Sequence, residues 1–124
     1  MSFILDLVDY IASQTTLVVD TDLFLADELD DSPDACVTVS SSPGSFRNES
    51  GIDMQAVQIL VKDTAFITTE TRALEVFNLL ANKPGFGSLG DVFYSEVLNA
   101  PFPVDRDERG RYIFSMNLII RKRS

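Results

Sequence analysis

Residues 54–82 constrain this chain more than any other stretch, because within them the hydrophobic period changes from that of a strand to that of a helix. From Met54 to Lys62 the pattern alternates, with Val57, Ile59 and Val61 on one face and Ala56, Gln58 and Leu60 on the other. Phe66, Ala73, Val76, Phe77 and Leu80 then recur at spacings that a helix gathers onto one stripe, which predicts a helix over 65–81. Glu70, Arg72, Glu75 and Asn78 fall off that stripe and face water. Asn82, Pro84 and Gly85 stop the helix, since proline disfavours helix at the residue before it and glycine accepts the following turn. A strand that feeds an apolar-striped helix needs a sheet for that helix to cover.

The remaining segments supply one. A helix is predicted over 2–12, with Phe3, Leu7, Tyr10 and Ile11 on one side and Ile4, Leu5 and Val8 widening it, so it must be covered by the sheet or by a neighbouring subunit. Residues 15–20 and 23–26 read as short β runs joined in a tight hairpin at Asp20, Thr21 and Asp22. Residues 35–40 read as a half-buried strand, with Ala35, Val37 and Val39 alternating with Cys36, Thr38 and Ser40, and the Ser- and Gly-rich 40–52 as a mobile loop. A strand is expected over 92–98. Residues 99–104 are extended but, with Pro101 and Pro103, unable to pair fully. After a polar turn at 105–110, residues 111–123 form the longest and most central strand, with Tyr112, Phe114, Met116, Leu118 and Ile120 on one face.

A chain of 124 residues is one domain with a core of its own. No apolar run approaches the roughly 18 residues a membrane span needs, and the first charges, Asp6 and Asp9, are not the basic flank of a signal peptide, so a cytosolic site of synthesis and no membrane partner are expected. The net charge of −9 is unevenly placed: residues 1–46 carry nine acids and no base, and the remainder ten of each. Such a field repels a nucleic-acid backbone, so DNA binding by this domain is disfavoured.

Positive signs of chemistry are missing. The absence of histidine removes the usual general base, zinc ligand and partner of a nucleophile, and one cysteine cannot build a thiolate site. Cys36, in a strand-like run, reads as a small buried hydrophobe. Asp105, Asp107 and Glu108 lack the ligand pattern of a calcium loop. Gly85, Phe86, Gly87, Ser88, Leu89 and Gly90 spell a dinucleotide fingerprint in the wrong context, after a helix and before a strand, where no helix N-terminus can receive a phosphate. Neither an enzyme nor a cofactor or metal is expected.

Three segments carry a family resemblance. Thr21, Asp22, Leu23, Phe24 and Leu25 followed by Ser32, Pro33 and Asp34, the run from Val57 to Phe66, and the D-x-x-G-R turn and strand within Asp105 to Asn117 together resemble the tail terminator (tail completion, or minor capsid) proteins of tailed bacteriophages. The likeness spans about Thr16 to Arg121 and departs in placing Lys62 where an arginine commonly ends the central strand. It implies an α+β fold with a mixed, mostly antiparallel sheet flanked by helices. It also implies a virion protein, assembled in the host cytoplasm as a ring, commonly a hexamer. That ring caps the head-proximal end of the tail tube, contacting the tube protein below and head-completion or neck proteins above.

In such a ring, Asp27, Glu28, Asp30, Asp31 and Asp34 are candidates to line a channel through which DNA passes without binding. Arg109 and Arg111 are candidates to dock on acids of a neighbouring tail or neck protein. The blander readings are a solvated acidic loop and solvated turn charges. A different class of function, a monomeric acidic module that binds a basic host partner, fits the same low pI and differs in predicting no discrete oligomer.

Overall fold

The computed structural model describes residues 3–25, 33–41, 47–49, 51–81, 92–104 and 106–123. The elements run α1 (Phe3–Gln14), β1 (Leu23–Leu25), β2 (Cys36–Ser41), β3 (Arg47–Glu49), β4 (Ile52–Asp63), α2 (Phe66–Leu80), β5 (Val92–Val104) and β6 (Tyr112–Arg123). The architecture is α+β. The strands make one mixed sheet in the order β1-β2-β4-β6-β5, with β1 parallel to β2 and every other pairing antiparallel.

β4 is the spine of that sheet, as its alternation predicts. One edge of it pairs with β6 along its whole length, from Ile52↔Arg123 to Asp63↔Tyr112. The other edge is shared, residues 57–62 pairing with β2 and residues 52–54 with β3. Val57, Ile59 and Val61 point to the helices and are buried, together with Phe114, Met116, Leu118 and Ile120 of β6. α1 packs on β1 and β2 and α2 on β4, β5 and β6, so Leu7, Ile11, Ala73, Val76 and Leu80 join the strand residues in one core. The chain's own sheet thus covers the second half of α1. No helix among the described residues is long and apolar enough to cross a membrane.

Five expectations are corrected. No hairpin joins 15–20 to 23–26: Val19 makes an isolated parallel bridge to Leu23, and β1 continues in parallel along β2. The turn instead converges on the Val18 peptide, whose carbonyl accepts from the N–H groups of Thr21, Asp22 and Leu23 (3.1, 3.1 and 3.2 Å) while its N–H donates to Asp22 Oδ1 (2.7 Å). That ring of bonds, with Asp20 at φ 68°, re-aims the chain rather than folding it back.

The 40–52 segment is not all loop, because Arg47–Glu49 pairs with β4 across a two-residue turn whose Gly51 sits at φ 81°, a conformation glycine adopts without strain. β2 is buried from Cys36 to Val39 on both faces rather than half-buried: Val37 and Val39 join the core under the helices, and on the other face the Arg111 side chain lies against Cys36. β5, with 13 residues, is longer than β6 with 12. It holds the outer edge, where register shifts at Val97/Asn99 and Asn99/Phe102 pass over Ala100 and Pro101, so that 99–104 pairs only in part, as its prolines predict, through Asn99, Phe102, Pro103 and Val104.

The α2 stripe differs at one end. Thr69 is buried with Ala73, Val76 and Leu80, its hydroxyl donating to the Ala65 carbonyl (2.6 Å), while Phe66 is 40 % exposed and Phe77 half-buried. Phe66 sits edge-on against Tyr112 (5.6 Å) and Phe114 (5.3 Å), capping the end of the core instead of filling it. The glycine-rich 85–90 segment lies outside the described residues.

Candidate functional site

The turn between β5 and β6 is built around Asp107. Its Oδ1 accepts the backbone N–H groups of Arg109 (3.0 Å) and Arg111 (2.9 Å), and the Gly110 N–H donates to its carbonyl (3.0 Å). An aspartate followed three residues later by a glycine at φ 78° is the local sequence that closes such a turn. Arg106 braces it from outside, donating through Nε and Nη2 to the Gly110 carbonyl (3.1 and 2.8 Å), with its guanidinium 4.4 Å from the Tyr112 ring centroid.

Arg111 points inward. Only 4 % exposed, it donates through Nε to Asp107 Oδ2 (2.7 Å) and through Nη1 to the Pro33 carbonyl (3.0 Å), with Cys36 Sγ at 3.8 Å. It therefore fastens the 106–111 turn to the entry of β2, a buried guanidinium with its donors met inside the chain. Burial by itself raises the Asp107 carboxyl, but the Arg111 N–H, the Arg111 guanidinium with its charge, and the Arg109 N–H outweigh it and hold that carboxyl below its ordinary value.

Arg109 lies on the outside of the same turn, its Nη2 2.6 Å from Oδ1 of Asp34. The structure thus brings together one of the five acids and both arginines singled out in the sequence, though they stand 75 or more positions apart. Asp27, Glu28, Asp30 and Asp31 lie outside the described residues. No group of three metal-ligating side chains gathers among the described residues.

A second surface has no sequence signal as clear. On the face of the sheet away from both helices, register sets Phe24, Thr38, Leu60, Ser115 and Phe102 in one row across the five strands. Thr38 and Ser115 are buried beneath their larger neighbours, while Phe24 and Leu60 are half-buried and Phe102 is exposed. Ile113 and Ile119 continue this face, interrupted by polar pairs: Gln58 with Ser115, Asn117 with Asn99, and Arg121 with Glu96 at 2.7 Å. On α2, Ile67 (68 % exposed) and Leu74 stand seven residues apart on the outer side. They face outward because the stripe of Ala73, Val76 and Leu80 is the one that packs on the sheet.

Comparison with known families gives one finding. The family model described as bacteriophage tail terminator protein matches residues 10–123. Comparison with curated proteins finds no match.

Proposed function

We propose, since this chain belongs to the bacteriophage tail terminator family, that it caps the head-proximal end of the phage tail tube as a hexameric ring, stopping tube growth and offering the surface on which the head joins. Its role is structural and its place is in the virion. The match over residues 10–123 carries this reading, because it takes in every described element except the first turns of α1.

Physical features support the finer points. A ring subunit buries surface against its neighbours, and this chain has exposed Leu98, Phe102 and Val104 on its edge strand and exposed Ile67 and Leu74 on α2 to offer. In the assembled ring, Asp27, Glu28, Asp30, Asp31 and Asp34 line the channel or its rim. Phosphates held by positive charge would stall, whereas like charge within a Debye length, roughly 8 Å at physiological salt, keeps a passing duplex off the wall. Arg109 docks on an acidic surface of the adjoining tail or neck protein, and Arg111 contributes from beneath by holding the turn that presents it.

The decisive experiment is infection without this protein. Tail tubes of unregulated length that fail to join heads are the expected result, and tubes of normal length joined to heads would overturn the reading. Replacing the five acids with asparagine should leave assembly nearly intact, whereas lysine at all five should slow DNA ejection from assembled particles. Light scattering over a concentration series separates the ring from a monomeric acidic module, which would show a salt-sensitive complex with a basic partner and no discrete oligomer in the presence of tubes.

A further inference from the structure

The two edges of the sheet are level with one another and opposite in charge. One register row runs through Leu23, Val37, Val61, Phe114 and Pro103, so the 18–22 turn bridged to Leu23 and the residues flanking Pro103 stand at the same end of the sheet on opposite edges. The β1 edge carries Val18, 55 % exposed, with Asp20 and Asp22 beside it, and the β5 edge carries exposed Phe102, Val104 and Arg106. The segments behind them extend the contrast. Residues 1–46, which supply α1, β1 and β2, hold nine acids and no base, whereas residues 92–123, which supply β5 and β6, hold six bases and four acids.

We infer, resting on the ring reading, that neighbouring copies meet head to tail, the 18–22 turn of one against the 102–106 end of β5 in the next. Charge selects this occupant, because a base-rich edge attracts an acid-rich one and the same chain carries both. A two-fold contact of either edge with its own copy sets like charge against like. Two different, complementary patches are also what a closed ring needs, since each subunit uses one on either side. When copies repeat about an axis along the strands, the register row stays level from subunit to subunit, which brings Val18 to Phe102 and Val104 and turns Arg106 toward Asp20 of the next copy. Side chains make this contact, with no continued ladder: Leu23 gives its N–H to the Val18 carbonyl (3.2 Å) and takes the Asp20 N–H on its own (2.9 Å), while Pro101 and Pro103 have no N–H to offer. Edges closed in this way keep copies from adding into an open-ended sheet.

Val18→Cys combined with Phe102→Cys, or with Val104→Cys, in a chain whose native thiol is removed by Cys36→Ser tests this on capped tails. Mild oxidation should give a ladder of disulfide-linked multimers ending at the closed ring; each single-cysteine variant should give none, and the Val18 and Phe102 single variants mixed should give dimers and nothing larger. A single variant that links to itself, or capped tails on which neither double variant links, would overturn the head-to-tail contact while leaving the ring. Asp20→Asn, which the left-handed φ of 68° tolerates, should slow linking by about two- to fivefold, the range an exposed pair imposes. An unchanged rate would overturn the charge selection of the occupant. Tubes left uncapped by the wild-type chain would instead count against the ring itself, and this contact would fall with it.

Discussion

The two faces of the sheet are made by alternate residues of the same strands, yet they solve different problems. Toward the helices, Val57, Ile59, Val61, Phe114, Met116, Leu118 and Ile120 are all at most 2 % exposed; between them, Ala56, Gln58, Leu60, Ile113, Asn117 and Ile119 are half-buried. The first face is closed by α1 and α2 and holds only apolar side chains over that run. The second mixes aliphatic groups with hydrogen-bonded amides and the Arg121–Glu96 pair, the composition of a surface that water reaches and a protein partner can cover. Residues one position apart in a strand thus belong to opposite faces, one sealed by the helices and the other reached by water.

Substitutions can break that comparison or sharpen it. Ile59→Ala on the closed face should cost about 3 to 4 kcal/mol, whereas Leu60→Ala next to it should cost about 1 kcal/mol in the isolated subunit. Equal losses in denaturant unfolding would show that something closes the second face as tightly as the helices close the first. Arg111→Met comes next: it strips the partner from Asp107 and the donor from Pro33, for a loss of about 3 kcal/mol, less if the partly exposed carboxylate turns to water. A neutral thermal midpoint would demote the latch to a surface contact.

Phe77, placed on the core stripe by its spacing, is only half-buried, so Phe77→Ala should cost about 2 kcal/mol, below the cost of emptying a full core site. Asp107 gives a smaller and pH-bound effect. Its carboxyl is held below its ordinary value in the folded chain, so its contribution is present above the unfolded value, about 3.9, and is lost as pH falls through the lower folded one. Asp107→Asn should accordingly be less stable than the parent at neutral pH and close on it below about pH 4; parallel profiles throughout would remove the assignment. Smallest of all, Asp34→Asn should change stability by less than about 0.5 kcal/mol, an effect that vanishes in high salt.

Much of the fold was legible because local periodicity is the signal that makes it. The alternation over 54–62 and the stripe through Ala73, Val76 and Leu80 predict β4 and α2 to within two residues at each end. The run from Tyr112 to Ile120 likewise predicts a strand in the interior of the sheet, where β6 lies between β4 and β5. The failures have equally local causes. Asp20, Thr21 and Asp22 mark a turn but not its direction, since side-chain capping of the Val18 peptide closes a redirecting turn as readily as a hairpin. Phe66 has helical spacing with the stripe but sits in the first turn, where the helix has already run past the end of the core.

The amino-acid sequence by itself determined the types of the longer elements, the closed face of the sheet and the family to which the chain belongs, because each is written in residue patterns a few positions long or in their order along the chain. Tertiary structure alone decided that the D-x-x-G-R turn meets the entry of β2, that Arg111 is buried while Arg109 is not, and that Asp34 faces a base at all. Those facts depend on how β2, β4, β6 and β5 are ordered across the sheet, and no local pattern encodes the distance between residues 34 and 109. It is set by the summed packing of strands that lie between them, which is where sequence periodicity ends and three-dimensional register begins.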